Sequence, residues 1–407
     1  MGWQLDPTQI YSQPGTSQSQ PRKPTLVLED KRSLAVAMIG SRGLSVCHSG
    51  LEAHVRELSN QLGLMGCTVS VYGWRNHRFD LTDPEYIPKT NVEDKKGFNL
   101  KGKLTATISN SVWATIDAIR SGRADIIHYH GVGCVFGLLL ARKLGFPTVL
   151  SLHSTNWQEN KWSSASQSMI HRLERLAVRA ADAVIAVSQS LADRVRAEYD
   201  VLPSIIPNEI SIKGKPERDH EILQPLGLEN GKFVLYVGRI VPDKGCHVLV
   251  EALHKADIPM KLALIGPHQD KTYAESIIGG NQGLVIAPGA LQDQDLGALY
   301  RSCWAFCTAS ISEGQSRVLL EALAHGCTCL VSDIAGHREL VTDSDMRFPV
   351  GDVECLRGKL LDLCRPQESA RARDHSHWLK QHPEYWAETT AKRVMDVYRE
   401  VKSLKRK

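Results

Sequence analysis

No run of eighteen apolar residues occurs in this 407-residue chain, so no membrane-spanning helix is expected. The first thirty residues hold the polar stretch QPGTSQSQPRKP and lack the apolar core of a signal peptide. They are expected to form a disordered tail, residues 1–30. The ten cysteines form no CxxC pair, and most sit in apolar stretches such as CTCLV and CWAFC. They read as reduced, buried thiols of a cytoplasmic protein. Zinc binding through Cys327 and Cys329 is not expected, because no second ligand pair is in view. No GxGxxG follows the first strand-like run, which disfavours a nicotinamide dehydrogenase, and no GxxxxGK[ST] exists to suit a P-loop kinase. The pair Asp343-Ser-Asp345, which resembles a metal–diphosphate motif, follows LVT rather than ending a buried strand, and reads as a turn.

What is present is a composition of 42% apolar and 23% charged residues, that of a globular protein long enough for two domains. Net charge is +4, unevenly divided: residues 1–208 carry 23 basic against 18 acidic residues (+5), and the remainder 26 against 27 (−1). A mildly basic first half suits an anionic acceptor or an anionic membrane surface, though it requires neither.

Strand-like and helix-like segments alternate. LAVAMI ends in GSRG, and GLEAHVRELSNQLGLMG then places Leu51, Val55, Leu58 and Leu62 at helical spacing. CTVSVYGW, ADIIHYHG, PTVLSLHS and ADAVIAVS read as further strands. IPNEI (206–210) and KGKPERDHE read as a linker, after which the alternation restarts with FVLYVGR, KLALIGP, GLVIAPG, AFCTAS and TCLVSD. The expected architecture is α/β: two Rossmann-like, doubly wound domains at 31–210 and 211–382. Their ligand belongs in the cleft at the carboxyl ends of the strands.

Within the second half, VGRIVPDKG follows the apolar run FVLYV, and EGQSRVLLE lies about seventy residues later. The first supplies Arg239 and Lys244, and the second supplies Glu313 and Glu321, about two helical turns apart near a helix start. Two fixed cations suit a diphosphate and two carboxylates suit sugar hydroxyls, so the ligand implied is a nucleotide-diphosphate sugar. Amides at a helix start preceded by Gly314 can also face a diphosphate.

GR-x4-KG followed by E-x7-E resembles the donor site of the retaining family 4 glycosyltransferases (glycosyltransferase group 1), which have the GT-B fold. The similarity runs from about Leu34 to about Val353, and the first half looks closest to the rhamnosyltransferase-like branch. The resemblance implies a final helix, 383–407, crossing back to the first domain. It implies that Glu313 faces the donor sugar and Glu321 the ribose, with Gly238, Gly314, Gln315 and Ser316 lining the donor. The commoner family pattern is EGFGLPVLE; here Gln315, Ser316, Arg317 and Val318 depart from it. Arg317 is thus either a third phosphate-binding cation or is turned elsewhere. Ser49-Gly50 stands where the family has a glycine pair near the donor phosphate, and Ser49 equally suits a helix cap. His153, before STNWQENKW, corresponds to a sugar-facing histidine. Ser188 and Asn208 match landmarks near the cleft. His128 and His130 share a strand face, but a metal reading lacks a third ligand.

The implied reaction moves a sugar from the nucleotide donor to an acceptor hydroxyl with retention. Arg239, Lys244, Glu313 and His153 are its catalytic residues, and no metal or other cofactor is expected. The acceptor implied by the branch is a saccharide or lipid-linked saccharide in polysaccharide or glycolipid assembly, reached in the cytoplasm at the inner face of the membrane. Nucleic acid is not an expected partner. Met169, Leu173, Leu176 and Ala180 lie at helical spacing among Arg172, Arg175 and Arg179, a pattern that fits membrane contact but more often marks a core-facing helix. The alternative enzyme is a nucleotide-sugar epimerase or hydrolase on a similar scaffold, which needs a group placed for proton transfer or water activation. Retention of all four charged residues argues against a binding protein with a dead site.

Overall fold

The computed structural model describes residues 33–45, 50–75, 86–122, 124–154, 164–210, 212, 219–365 and 378–405. Ser49, the STNWQENKW loop beyond Ser154 and the residues 1–30 expected to be disordered lie outside them. Leu34–Lys407 is one compact unit built on two parallel sheets.

The first sheet holds β1 (Ala35–Ile39), β2 (Thr68–Trp74), β3 (Val92–Gly97), β4 (Ile126–His130), β5 (Thr148–Leu152), β6 (Ala183–Ala186) and β7 (Ser204–Ile205). Their order is β3-β2-β1-β4-β5-β6-β7. The second holds β8 (Phe233–Val237), β9 (Lys261–Ile265), β10 (Val285–Gly289), β11 (Ala305–Thr308), β12 (Cys329–Ser332) and β13 (Arg347–Phe348), in the order β10-β9-β8-β11-β12-β13. Every ladder is parallel. The strand order reverses between β1 and β4 in one sheet and between β8 and β11 in the other. Those switch points are where doubly wound sheets bind ligands.

IIHYH, TVLSL, FVLYV and AFCT are buried along their whole length, because helices cover both faces of a parallel sheet and polar alternation has no place there. The edge strand β3, VEDKKG, breaks that pattern. It carries almost no apolar signal, yet pairs with β2 from Val69↔Val92 to Trp74↔Gly97.

IPNEI, between the two sheets, is packed rather than exposed: Ile206, Asn208, Glu209 and Ile210 are all buried, and the Ile210 N–H donates to the Tyr385 carbonyl (2.8 Å). One sequence expectation changes: Glu313 and Glu321 are not on one helix. Glu313 sits in the loop before the helix Arg317–Ala324, and Glu321 lies within it.

The helix Ala387–Lys405 lies against the helix Gly50–Leu64 of the first half. Ala391, Val394, Met395, Tyr398 and Val401 form its apolar stripe at helical spacing and enter the core that holds Val36, Met38, Val55 and Leu58. The helix Ser164–Ala180 divides its stripe. Leu173 and Ala180 pack on the first-half core, whereas Met169 (48% exposed) and Leu176 (46%) face solvent beside exposed Arg172, Arg175 and Arg179. That corrects the core-facing reading of the stripe for two of its four residues. Among the described residues no helix is long and apolar enough to cross a membrane. Asp343 caps a single turn, Ser344–Met346, by accepting from the Asp345 N–H, as a turn requires. All nine described cysteines are free thiols.

The buried Tyr398 hydroxyl pairs with His128 Nδ1 at 2.7 Å, joining the last helix to the centre of the first sheet. Tyr398→Phe leaves that nitrogen unpaired and is expected to cost about 1–3 kcal/mol in urea unfolding; unaltered stability would show that the hydroxyl contributes nothing.

Candidate functional site

The donor-half residues stand at the carboxyl ends of the two strands flanking the second switch point. β8 leads into Gly238 and Arg239. A 3-10 turn, Pro242–Lys244, then closes on Gly245 with φ +66°. A Cβ on Gly245 would lie 2.3 Å from the Ala309 carbonyl oxygen, so only glycine lets the Lys244 turn sit against the end of β11. From that end the chain runs through Ser310 to Glu313.

Lys244 and Glu313 meet there as a close ion pair, and the Ser310 hydroxyl donates to the same Glu313 oxygen at 3.0 Å. Burial alone would raise the Glu313 carboxyl. The Lys244 ammonium, with His337 and Ser310 behind it, outweighs burial and holds it below the ordinary carboxylate value. Glu313 is thus ionised at neutral pH with about a fifth of its side chain open to solvent. Arg239 stands apart from this pair: its guanidinium donates to Gln269 Oε1 (3.0 Å), and its carbonyl accepts from the Tyr236 hydroxyl (2.9 Å). Glu321 accepts from the Tyr300 hydroxyl (3.0 Å) and lies 3.7 Å from Arg317.

The first half contributes histidines, also at carboxyl ends. His128 and His130 belong to β4, His153 follows β5, and His54 reaches them from the helix Gly50–Leu64. The His130 and His153 rings stack with centroids 5.5 Å apart, and His54 meets His153 edge-on at 4.8 Å. Burial, reinforced by neighbouring imidazoles, holds His130 and His153 well below the ordinary histidine value. His128 is pushed down to about 3 in the same way; its two nitrogens are taken by Tyr398 and by the Ser151 hydroxyl (2.7 Å each).

The segment EGQSR locks the two halves together. A Cβ on Gly314 would stand 2.1 Å from the His153 carbonyl oxygen, so the backbones touch where no side chain fits. Gln315 Oε1 accepts from the Asn208 N–H (2.7 Å). Arg317 donates to Glu209 (2.6 Å), whose other oxygen binds His54 Nδ1 (2.7 Å). The Arg317 side chain also covers Gly50, with Cδ 3.4 Å from where a Cβ would be. Across the same boundary Glu339 accepts from the backbone N–H groups of Gln189 and Ser190 (2.9 and 2.7 Å), at the start of the helix Gln189–Tyr199.

Of the sequence-derived residues, Lys244 and Glu313 are in direct contact, and Gly50, His153 and Gly314 lie along the contact between halves. Gln315 spends its side chain on Asn208, and Ser316, buried, opens the helix Arg317–Ala324. Ser188 caps its own helix by accepting from the Leu191 N–H (3.3 Å). Arg317 takes the second of its two expected courses and joins the halves. His54 and Glu209 were not singled out. A histidine on an amphipathic helix and a glutamate in an apparent linker carry no spacing signal; only their burial beside Arg317 and His153 reveals them.

The family model described as Glycosyltransferase Family 4 matches residues 48–213, and that described as Glycosyl transferases group 1 matches residues 219–374. The chain belongs to the group 1 glycosyltransferases. It is 26% identical to alpha-maltose-1-phosphate synthase of Mycolicibacterium smegmatis, over 90% of this chain and 100% of that protein. It is 25% identical to the MMP alpha-(1->4)-mannosyltransferase of Mycolicibacterium hassiacum, over 84% and 92%. The fold matches sucrose-phosphate synthase of Thermosynechococcus elongatus with a TM-score of 0.76 at 20% identity, covering 92% of this chain and all of that one. It also matches Anabaena HepE in complex with UDP-glucose, with a TM-score of 0.72 at 20% identity, over 90% and 100%. The two Rossmann-like domains are therefore those of the GT-B glycosyltransferases.

Neutral His128 has a pH signature. Its folded value lies below its unfolded one, so its contribution to stability is complete above about pH 6.5 and drains as pH falls toward about 3. Between pH 6.5 and 5 the loss is about 2 kcal/mol. His128→Gln is expected to flatten the pH dependence of urea unfolding by about that amount; an unchanged slope would assign the titration to other groups.

Proposed function

We propose that this glycosyltransferase moves a hexose from a nucleotide-diphosphate sugar to an acceptor hydroxyl with retention at the anomeric carbon, without a metal. The observation that carries the reading is the Lys244–Glu313 pair at the second switch point, with Arg239 on the adjoining loop. Lys244 and Arg239 are cations at the strand ends where a diphosphate would lie, and Glu313 is an ionised acceptor beside Lys244 for sugar hydroxyls. The sugar–phosphate C–O bond breaks while the acceptor oxygen approaches the same face of the anomeric carbon. The acceptor proton passes to the departing diphosphate, and the two cations offset the charge that develops on it. Glu313 and His153 orient the sugar, and Glu321 receives the ribose.

UDP-glucose in the HepE complex, together with the maltose-1-phosphate and mannosyl activities named for the relatives, supports a sugar-nucleotide donor and a saccharide acceptor, free or lipid-linked. We place the reaction in the cytoplasm. For a lipid-linked acceptor, the exposed face made by Met169, Arg172, Arg175, Leu176 and Arg179 suits an anionic membrane: the apolar pair enters the headgroup boundary while the arginines meet lipid phosphates.

Arg239→Ala is expected to lower turnover about 10²–10³-fold and to abolish the thermal shift given by the matching UDP-, GDP-, ADP- or dTDP-sugar in metal-free buffer. Undiminished turnover would overturn the assignment. Donor consumed to completion without acceptor would favour an epimerase or hydrolase instead. Binding to anionic vesicles is expected to be lost in a Met169→Asp/Leu176→Asp double variant and absent on neutral vesicles; equal sedimentation with both vesicle types would rule the face out.

A further inference from the structure

Three separate segments place His54, His130 and His153 so that one nitrogen from each lies within 4.8 Å of the others. His54 and His130 are buried and His153 is partly so. His130 Nδ1 and His153 Nε2 are 3.3 Å apart. Two imidazole nitrogens on a tetrahedral ion, each about 2.0–2.1 Å from it, stand about 3.3 Å from one another, so this pair already has the separation of two ligands. His130 retains a second nitrogen, Nε2, that is buried without a hydrogen-bond partner among the described residues.

His54 is prepared in a different way. Its Nδ1 is hydrogen-bonded to Glu209 Oε2 at 2.7 Å, so in the neutral ring the proton lies on Nδ1 and the lone pair on Nε2. A carboxylate that fixes a histidine in this tautomer is the usual outer support of a metal-bound imidazole. His128 stands behind His130, with centroids 4.1 Å apart, and has both nitrogens engaged; it supports the cluster without being a ligand. The nearest cation, Arg317, is offset by Glu209 and Glu321. Burial keeps His130 and His153 in the neutral form that binds metal.

We infer that His54, His130 and His153 bind one divalent ion of the zinc class, with the fourth position open. Three imidazoles and no carboxylate select Zn²⁺, Co²⁺, Ni²⁺ or Cu²⁺ over Mg²⁺ and Ca²⁺. The ion's ligands all come from the first half, and it is not a cofactor for donor cleavage. By taking the lone pair of His153 it withdraws the group that orients the sugar, so occupancy inhibits transfer. That consequence rests on the sugar-facing role proposed for His153; the binding does not.

The test is Co²⁺ titration of the full chain after chelator treatment. One equivalent is expected to give the visible d–d absorption of a tetrahedral nitrogen site, displaced by Zn²⁺ and untouched by Mg²⁺. His130→Gln and His54→Gln are expected to weaken binding at least about tenfold, with near-UV circular dichroism reporting the fold. His153→Gln, at a partly exposed position, provides the same test if the buried variants unfold. Absence of the band, its persistence in folded His153→Gln, or a near-ultraviolet thiolate-to-cobalt band, as from Cys303 and Cys327 with sulfurs 3.7 Å apart, would overturn the site. Glycosyl transfer is expected to fall with the same midpoint as the band. A band with undiminished transfer would overturn the inhibitory role and, with it, the sugar-facing role of His153.

Discussion

The carboxylate of Glu209, with no exposed side-chain surface, is held between His54 on one side and Arg317 on the other. An unpaired carboxylate at that depth would be strongly unfavourable, and losing either partner leaves the other half of the pairing unmatched. Burial raises the carboxyl, and the contact with His54 together with the Arg317 guanidinium more than reverses the effect. His54 belongs to the first-half helix and Arg317 to the second-half helix, so one buried charge sets the register between the two sheets. Gly314 against His153, Asn208 against Gln315 and Glu339 at the helix Gln189–Tyr199 are short-range contacts that exist only in that register.

With the halves so placed, the carboxyl ends of β4 and β5 face those of β8 and β11. Each sheet delivers a different chemistry to the boundary. The second provides ionised groups, Lys244 and Glu313, stabilised by one another in a partly open position. The first provides imidazoles kept neutral by burial. Charge for a diphosphate on one side and neutral nitrogen donors on the other is a division that follows from solvent access: the Lys244–Glu313 pair retains water contact, and the histidines pack on one another, with His128 behind them bonded to Tyr398 of the last helix.

Much of this was legible in the chain. The buried strands are short continuous apolar runs between glycine-rich loops, because strands covered on both faces have no polar side to show. Arg239, Lys244 and Glu313 lie in loops that follow such runs, so their place at strand ends could be read from the chain. β3 was missed because an edge strand needs little apolar character. The burial of IPNEI was not legible, because its polar residues are satisfied by groups far away in sequence.

The sequence by itself determined the two parallel sheets, the loops that end their strands and the charged residues those loops carry, since hydrophobic periodicity and glycine placement act locally. Only the tertiary structure decided that Arg317 joins the halves rather than standing as a free cation, that Glu313 and Glu321 have separate surroundings, and that His54 meets His130 and His153. Those outcomes depend on buried electrostatics between segments up to 155 residues apart, where desolvation forces each polar group to find a partner that local sequence cannot specify.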